Sequence, residues 1–132
     1  MFEFNKDVKT RDVIIFGEYA PEKYMGGTRQ FENMSYEKAK VLLELGYIDP
    51  DDAQNNSPTA EDMLKYAEEW GGYTFDGYVV SIDRCDYRVT LTTISKTAFS
   101  AIIDEDEVKA FTKMFRNADE FDVDGSLYAW YD

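Results

Sequence analysis

The stretch "GYVVSIDRCDYRVTL", Gly77 to Leu91, sets two apolar runs on either side of a short cluster of alternating charges. Tyr87, Val89 and Leu91 alternate with Arg88, Thr90 and Thr92, the period of a strand with one face buried and one in water. The run Thr74 to Ile82 is its natural partner. Asp83, Arg84, Cys85 and Asp86 between them are too few for a crossover connection, so the two strands read as an antiparallel hairpin with these four at its tip. This predicts an α+β fold: an antiparallel sheet around the 74–82 and 87–95 hairpin, with about three helices.

Upstream, "RDVIIFGEY", Arg11 to Tyr19, has a short apolar centre stopped by Gly17 and reads as a buried strand. "APEKYMGGTRQFENM" follows; Pro21 and Gly26-Gly27 make it a loop, and without a following Gly-Lys-Ser/Thr the glycines do not form a phosphate loop. Ser35 is the expected N-cap of "YEKAKVLLEL", with Ala39, Leu42 and Leu43 on one face and Gly46 as the stop. Ser57-Pro58 is expected to open a second helix, with Met63, Ala67 and Trp70 as its stripe and Gly71-Gly72 as its end. The two helices are expected to pair beside the sheet. The acidic loop between them is not a calcium hand, because from Asp49 or Asp51 the glycine at the sixth position and the glutamate at the twelfth are missing.

Downstream, "TAFSAII" is a candidate third strand. Asp104 is a strong N-cap for a third helix: Glu107 would complete a capping box, Ile103 would staple onto Val108, and Val108, Phe111 and Phe115 would form the buried stripe, packed on the sheet. Asp124-Gly125 marks a turn between two short β-prone runs. The aromatic end, Tyr128, Trp130 and Tyr131, either finishes the core or presents an anchor surface.

Residues 1–132 read as one domain, large enough to bury a core without staples. At 44% hydrophobic and 16% aromatic, the chain should fold despite a formal charge of −13. With no apolar run long enough to span a bilayer, no apolar leader and a single cysteine, the expected setting is the cytoplasm. The charge is regional: residues 1–48 hold 8 acids and 7 bases, residues 49–132 hold 19 and 7. No basic block exists to recover counterion-release energy, so direct contact with nucleic acid or an anionic membrane is not expected. The converse is attractive: concentrated carboxylates can occupy the basic groove that another protein keeps for nucleic acid.

Histidine is absent, which removes the commonest general base and zinc ligand, and triads built on it. Cys85 has Arg84 and Arg88 nearby but no base and sits at a hairpin tip, so it reads as a turn residue. Among 27 acids, a pair spaced for acid/base work would carry no weight. Asp104 to Glu107 are explained by the helix dipole, and Asp122 with Asp124 by the turn, so neither group is assigned a metal. No catalytic residue and no cofactor is expected.

"NNSPTAEDMLKY" (55–66), "GYVVSIDRCDYRV" (77–89) and "NADEF" (117–121), followed by an aromatic pair and Asp132, together resemble small acidic proteins of bacterial mobile elements and phages. That resemblance brings no catalytic motif; it implies an anti-defence setting of the antirestriction or anti-CRISPR type. The resulting expectation is a non-enzymatic inhibitor of a nuclease or CRISPR effector. Its contact acids would be Asp49, Asp51 and Asp52; Asp104, Glu105, Asp106 and Glu107; and Asp119, Glu120, Asp122 and Asp124. Secondary contacts would be Arg84, Asp86 and Arg88 at the hairpin tip and Tyr128, Trp130 and Tyr131. An accessory interaction module using the aromatic surface, monomeric or dimeric, is the alternative; a small magnesium-dependent carboxylate enzyme is the third reading.

Overall fold

A computed structural model describes residues 2–97 and 103–132. The chain runs α1 (Val8–Phe16), a 3-10 turn (Pro21–Lys23), β1 (Thr28–Ser35), α2 (Tyr36–Glu44), α3 (Ala60–Trp70), β2 (Thr74–Val80), β3 (Arg88–Thr97), α4 (Glu105–Phe115), β4 (Glu120–Asp122) and β5 (Ser126–Trp130). The five strands form one antiparallel sheet in the order β1-β2-β3-β5-β4. The fold is α+β, with β2 and β3 paired as the central hairpin from Val80 opposite Arg88 to Thr74 opposite Ser95.

Strand alternation sends Phe31, Phe75, Val79, Val89, Leu91, Ile94, Leu127 and Ala129 to one face. Ile15 of α1, Ala39 and Leu42 of α2, Met63 and Ala67 of α3, and Phe111 and Phe115 of α4 pack there as the second layer of a single core. Ser35 and Gly46 behave as the sequence predicts. Ser35 Oγ accepts from the Lys38 amide at 3.2 Å. Gly46, at φ +84°, lets its own N–H reach Leu43 O and that of Tyr47 reach Leu42 O, a Schellman closure of α2.

Two segments depart from expectation. Arg11 to Phe16 belong to a helix, not a strand. Asp7 caps α1 by accepting from the Thr10 amide at 3.2 Å and its hydroxyl at 2.7 Å, and Gly17 closes it at φ +76°. The helix puts Arg11, Asp12 and Ile15 on one buried face, where Arg11 Nε donates to Asp12 Oδ1 at 2.8 Å and Tyr24 Oη donates to the same carboxylate. The second departure is β1, which lies inside the predicted loop. It is an edge strand whose register shifts between Phe31 and Met34, so its buried residues are three apart and lack the period of two.

Smaller corrections concern helix starts. α3 begins after Thr59, not at Ser57-Pro58, and Thr59 Oγ1 accepts from the Asp62 amide at 3.2 Å. Thr59→Ala should lower stability by about 1 kcal/mol in urea titration, whereas Ser57→Ala should leave α3 capped. At α4, Asp104 caps through the Asp106 amide at 2.8 Å, but the capping box does not form because the Glu107 side chain turns inward. Of the candidate third strand, Thr97 ends β3 and residues 98–102 lie outside the described residues. Among the described residues, no helix is long and apolar enough to cross a membrane.

Candidate functional site

No described helix packs on the second face of the sheet. Its residues follow from register: Asp76 stands opposite Thr93, Thr93 opposite Trp130, and Trp130 opposite Glu120. The next rung is Thr74, Ser95, Tyr128 and Asp122. Directly paired residues share a face, so the Trp130 rung has a carboxylate at each end, Asp76 and Glu120, and the Tyr128 rung has one, Asp122. Three strand spacings separate Asp76 from Glu120, about 14 Å, while Glu120 and Asp122 are two residues apart on one strand, about 7 Å. A shallow depression of about 400 Å³ on this face is lined by Asp76, Thr93, Tyr128 and Trp130 together with Gln30, Glu32, Gln54, Tyr78 and Asp132, and Glu120 and Asp122 stand outside it on the edge strand.

The acids of this face are held in place. Asp76 Oδ1 accepts from the Asn33 amide at 2.8 Å, and Asn33 takes φ +55° in the β1 bulge to make that bond. Burial first, then the charges of Glu120 and Asp76, push the Tyr128 phenol above its ordinary pKa. Asp119 Oδ2 accepts from the Asp132 amide at 2.7 Å and Asn55 Nδ2 donates to Asp132 O at 3.3 Å, so the C-terminal residue is tied down beside Trp130.

The hairpin tip supplies the other end of the face. Arg84 makes a two-point contact with Asp86, at 2.8 and 2.7 Å. Arg88 donates to Asp86 O at 2.9 Å and to the Tyr78 hydroxyl at 2.9 Å, with its guanidinium carbon 5.5 Å from the Tyr78 ring centroid. Desolvation opposes the charge on Asp86, but the Arg84 and Arg88 hydrogen bonds outweigh it and hold the carboxyl below its usual pKa. Cys85 is exposed beside them.

The predicted contact acids do not form one patch. Asp49 and Asp52 serve their own loop and β3: Asp49 Oδ1 accepts from the Asp51 amide at 2.9 Å, and Asp52 Oδ2 accepts from the Thr90 hydroxyl at 2.6 Å. Asp51 is exposed. Asp104, Glu105 and Asp106 are exposed at the α4 N-terminus, on the helix side of the sheet. Thr90 and Lys96, which mark the two groups on β3, lie six residues apart, about 20 Å, and on opposite faces. Glu107 is overturned as a contact: at 4% exposure it is buried, bonded to Lys96 and Tyr73. Tyr131 is overturned too, at 1% exposure, because it falls in the alternation with Leu127 and Ala129.

Of the predicted acids, Glu120 and Asp122 stand on the rungs of Trp130 and Tyr128; Asp119 and Asp124 flank them in the chain, with Asp122 Oδ1 accepting from the Asp124 amide at 2.8 Å in the β4–β5 turn. Glu32, Asp76 and Tyr78 join the aromatic face without having been anticipated. The signal for Asp76 and Tyr78 was present in "TFDGYVV", where they alternate with Phe75, Gly77 and Val79.

Among the described residues, no three His, Cys, Asp or Glu side chains converge as a metal site. No protein-family model, curated protein or solved structure matches the chain.

Proposed function

We propose that this is a non-enzymatic binding protein that docks its uncovered sheet face on a basic surface of a protein partner, as an inhibitor of the anti-CRISPR or antirestriction type occupying the nucleic-acid groove of a nuclease. One observation carries the reading: Asp76 on one side and Glu120 and Asp122 on the other flank a part-exposed aromatic floor, with strand spacing that sets neighbouring acids about 7 Å apart. The scattered acids elsewhere add long-range attraction, not contact. The alternative, an accessory module that binds through aromatic contact, draws on the same Tyr128 and Trp130.

The two readings separate in one experiment: DNA cleavage by a guide-loaded CRISPR nuclease and by a restriction nuclease, with increasing amounts of the protein, at low and high salt. Charge-led occupation predicts inhibition that weakens by about tenfold or more as salt rises, and by a similar factor in Glu120→Gln/Asp122→Asn. Inhibition indifferent to salt and to that double change, yet abolished by Trp130→Ala, would transfer the role to the aromatic module. Cleavage untouched in both assays would remove the inhibitor reading for these enzyme classes.

A further inference from the structure

The face already holds one guanidinium of its own, and the way it does so identifies what the rest of the face is built to take. Arg88 lies against the Tyr78 ring, donates to the Tyr78 hydroxyl, and shares the Asp86 carboxylate with Arg84. Aromatic surface and carboxylate together match a guanidinium, which is planar, weakly hydrated and a multiple donor. A second set of the same composition sits along the sheet: Trp130 and Tyr128 for the ring surface, Asp76 on one side, Glu120 and Asp122 on the other.

This second set is served by no cation of the chain among the described residues. No lysine or arginine lies over Tyr128 or Trp130. None pairs with Asp76, Glu120 or Asp122. Residues 98–102, Ala-Phe-Ser-Ala-Ile, contain no base that could supply one. Asp76 is fixed by the Asn33 amide, and the register fixes the rings beside the acids, so little ordering remains to be done on binding.

We propose that the Trp130–Tyr128 ledge receives an arginine side chain of the protein partner, its guanidinium stacked on the indole and hydrogen-bonded toward Asp76 or Glu120. This rests on the reading of the face as a dock for a basic surface and adds selectivity within it. Lysine carries the same charge, but it has no planar group to stack and no fork for a carboxylate, so it should bind less well.

Hexa-arginine and hexa-lysine peptides test this, titrated into the full-length Trp70→Phe chain so that Trp130 is the single indole reporter. Hexa-arginine should shift Trp130 emission and bind about tenfold more tightly than hexa-lysine. Trp130→Ala, followed by calorimetry, should bring the two peptides to parity. Glu120→Gln, a change at an exposed position on an edge strand, should weaken hexa-arginine more than hexa-lysine and guards against loss of folding in the tryptophan variant. Equal affinities for the two peptides with Trp130 emission unmoved would overturn the arginine site while leaving a charge-led dock standing. Failure of both peptides to bind at low salt would overturn both readings.

Discussion

Lys96→Met should lower the free energy of unfolding by about 3–5 kcal/mol, among the largest effects expected of a single substitution in this chain. Lys96 leaves β3 on the core side, where its Nζ donates to both oxygens of Glu107, at 3.1 and 2.9 Å. Both side chains are largely out of water, at 16% and 5% exposure. Tyr73 Oη donates to the same carboxylate at 2.7 Å, and because its one proton is committed there, Tyr66 Oη is the donor in the 2.7 Å bond between the two phenols. Burial pushes the Tyr66 phenol up to about 12 and raises that of Tyr73 further, so both stay protonated and able to donate.

Methionine keeps the stem of the lysine but removes the charge, which leaves a buried carboxylate with one hydroxyl for company. The penalty is the stranded anion, not the lost attraction, and a second substitution separates the two. Lys96→Met combined with Glu107→Gln should recover most of the loss, since the amide needs no counter-charge. Urea titrations of the two single variants and the double variant decide it. A double variant as unstable as Lys96→Met alone, or a single variant within about 1 kcal/mol of the parent, would contradict a desolvated pair.

Gly77→Ala should be comparably damaging, by about 3 kcal/mol or more. A Cβ built on Gly77 would stand 2.0 Å from the Thr90 carbonyl oxygen and 2.8 Å from Phe31 Cζ. The ring could turn aside, but the carbonyl belongs to the paired backbone of β3 and cannot. Gly77 directly follows the register shift at Asp76, with Phe31 as its partner on β1, so the strand kinks where a side chain cannot fit. Phe31→Leu should therefore fail to rescue Gly77→Ala. A variant with unchanged thermal and urea midpoints would show that the strands do not approach this closely. Because Asp76 and Tyr78 flank the glycine, any shift that relieved the clash would also displace two side chains of the aromatic face.

The elements legible in the sequence are those whose signal is local. The hairpin needed only its alternation and a short connection, and α2 carried its cap, stripe and stop within a dozen residues. α1 failed because Val13-Ile14-Ile15-Phe16 is a continuous apolar run, which fits a buried strand and a buried helix turn equally; the deciding residues, Asp7 and Thr10, lie just ahead of it. β1 failed because the bulge at Glu32-Asn33 breaks the period and its sequence is mostly polar. Glu107 was placed three residues after Asp104, where a capping box would use it, yet it also lies four residues before Phe111 and eight before Phe115, on the buried stripe. The aromatic face was only half legible. Alternation separates Tyr128 and Trp130 from Leu127, Ala129 and Tyr131, but the rungs joining them to Asp76 and Glu120 depend on pairings between distant strands that no local pattern encodes.

β5 is shorter than the strand it joins: it pairs with Thr93 to Thr97 and leaves Arg88 to Thr92 without a strand neighbour on that flank. The α2–α3 loop stands there instead, with Asp52 and Gln54 both bonded to the Thr90 hydroxyl. The Tyr131 amide still donates to Thr92 O at 2.9 Å, and beyond it polar side chains, a negatively charged one included, cover the flank where another strand would offer backbone. A flank finished in this way repels an incoming strand of a second copy by charge as well as by occupancy. The same acidic loop that adds little to partner contact thereby helps keep each copy from being templated by its neighbours.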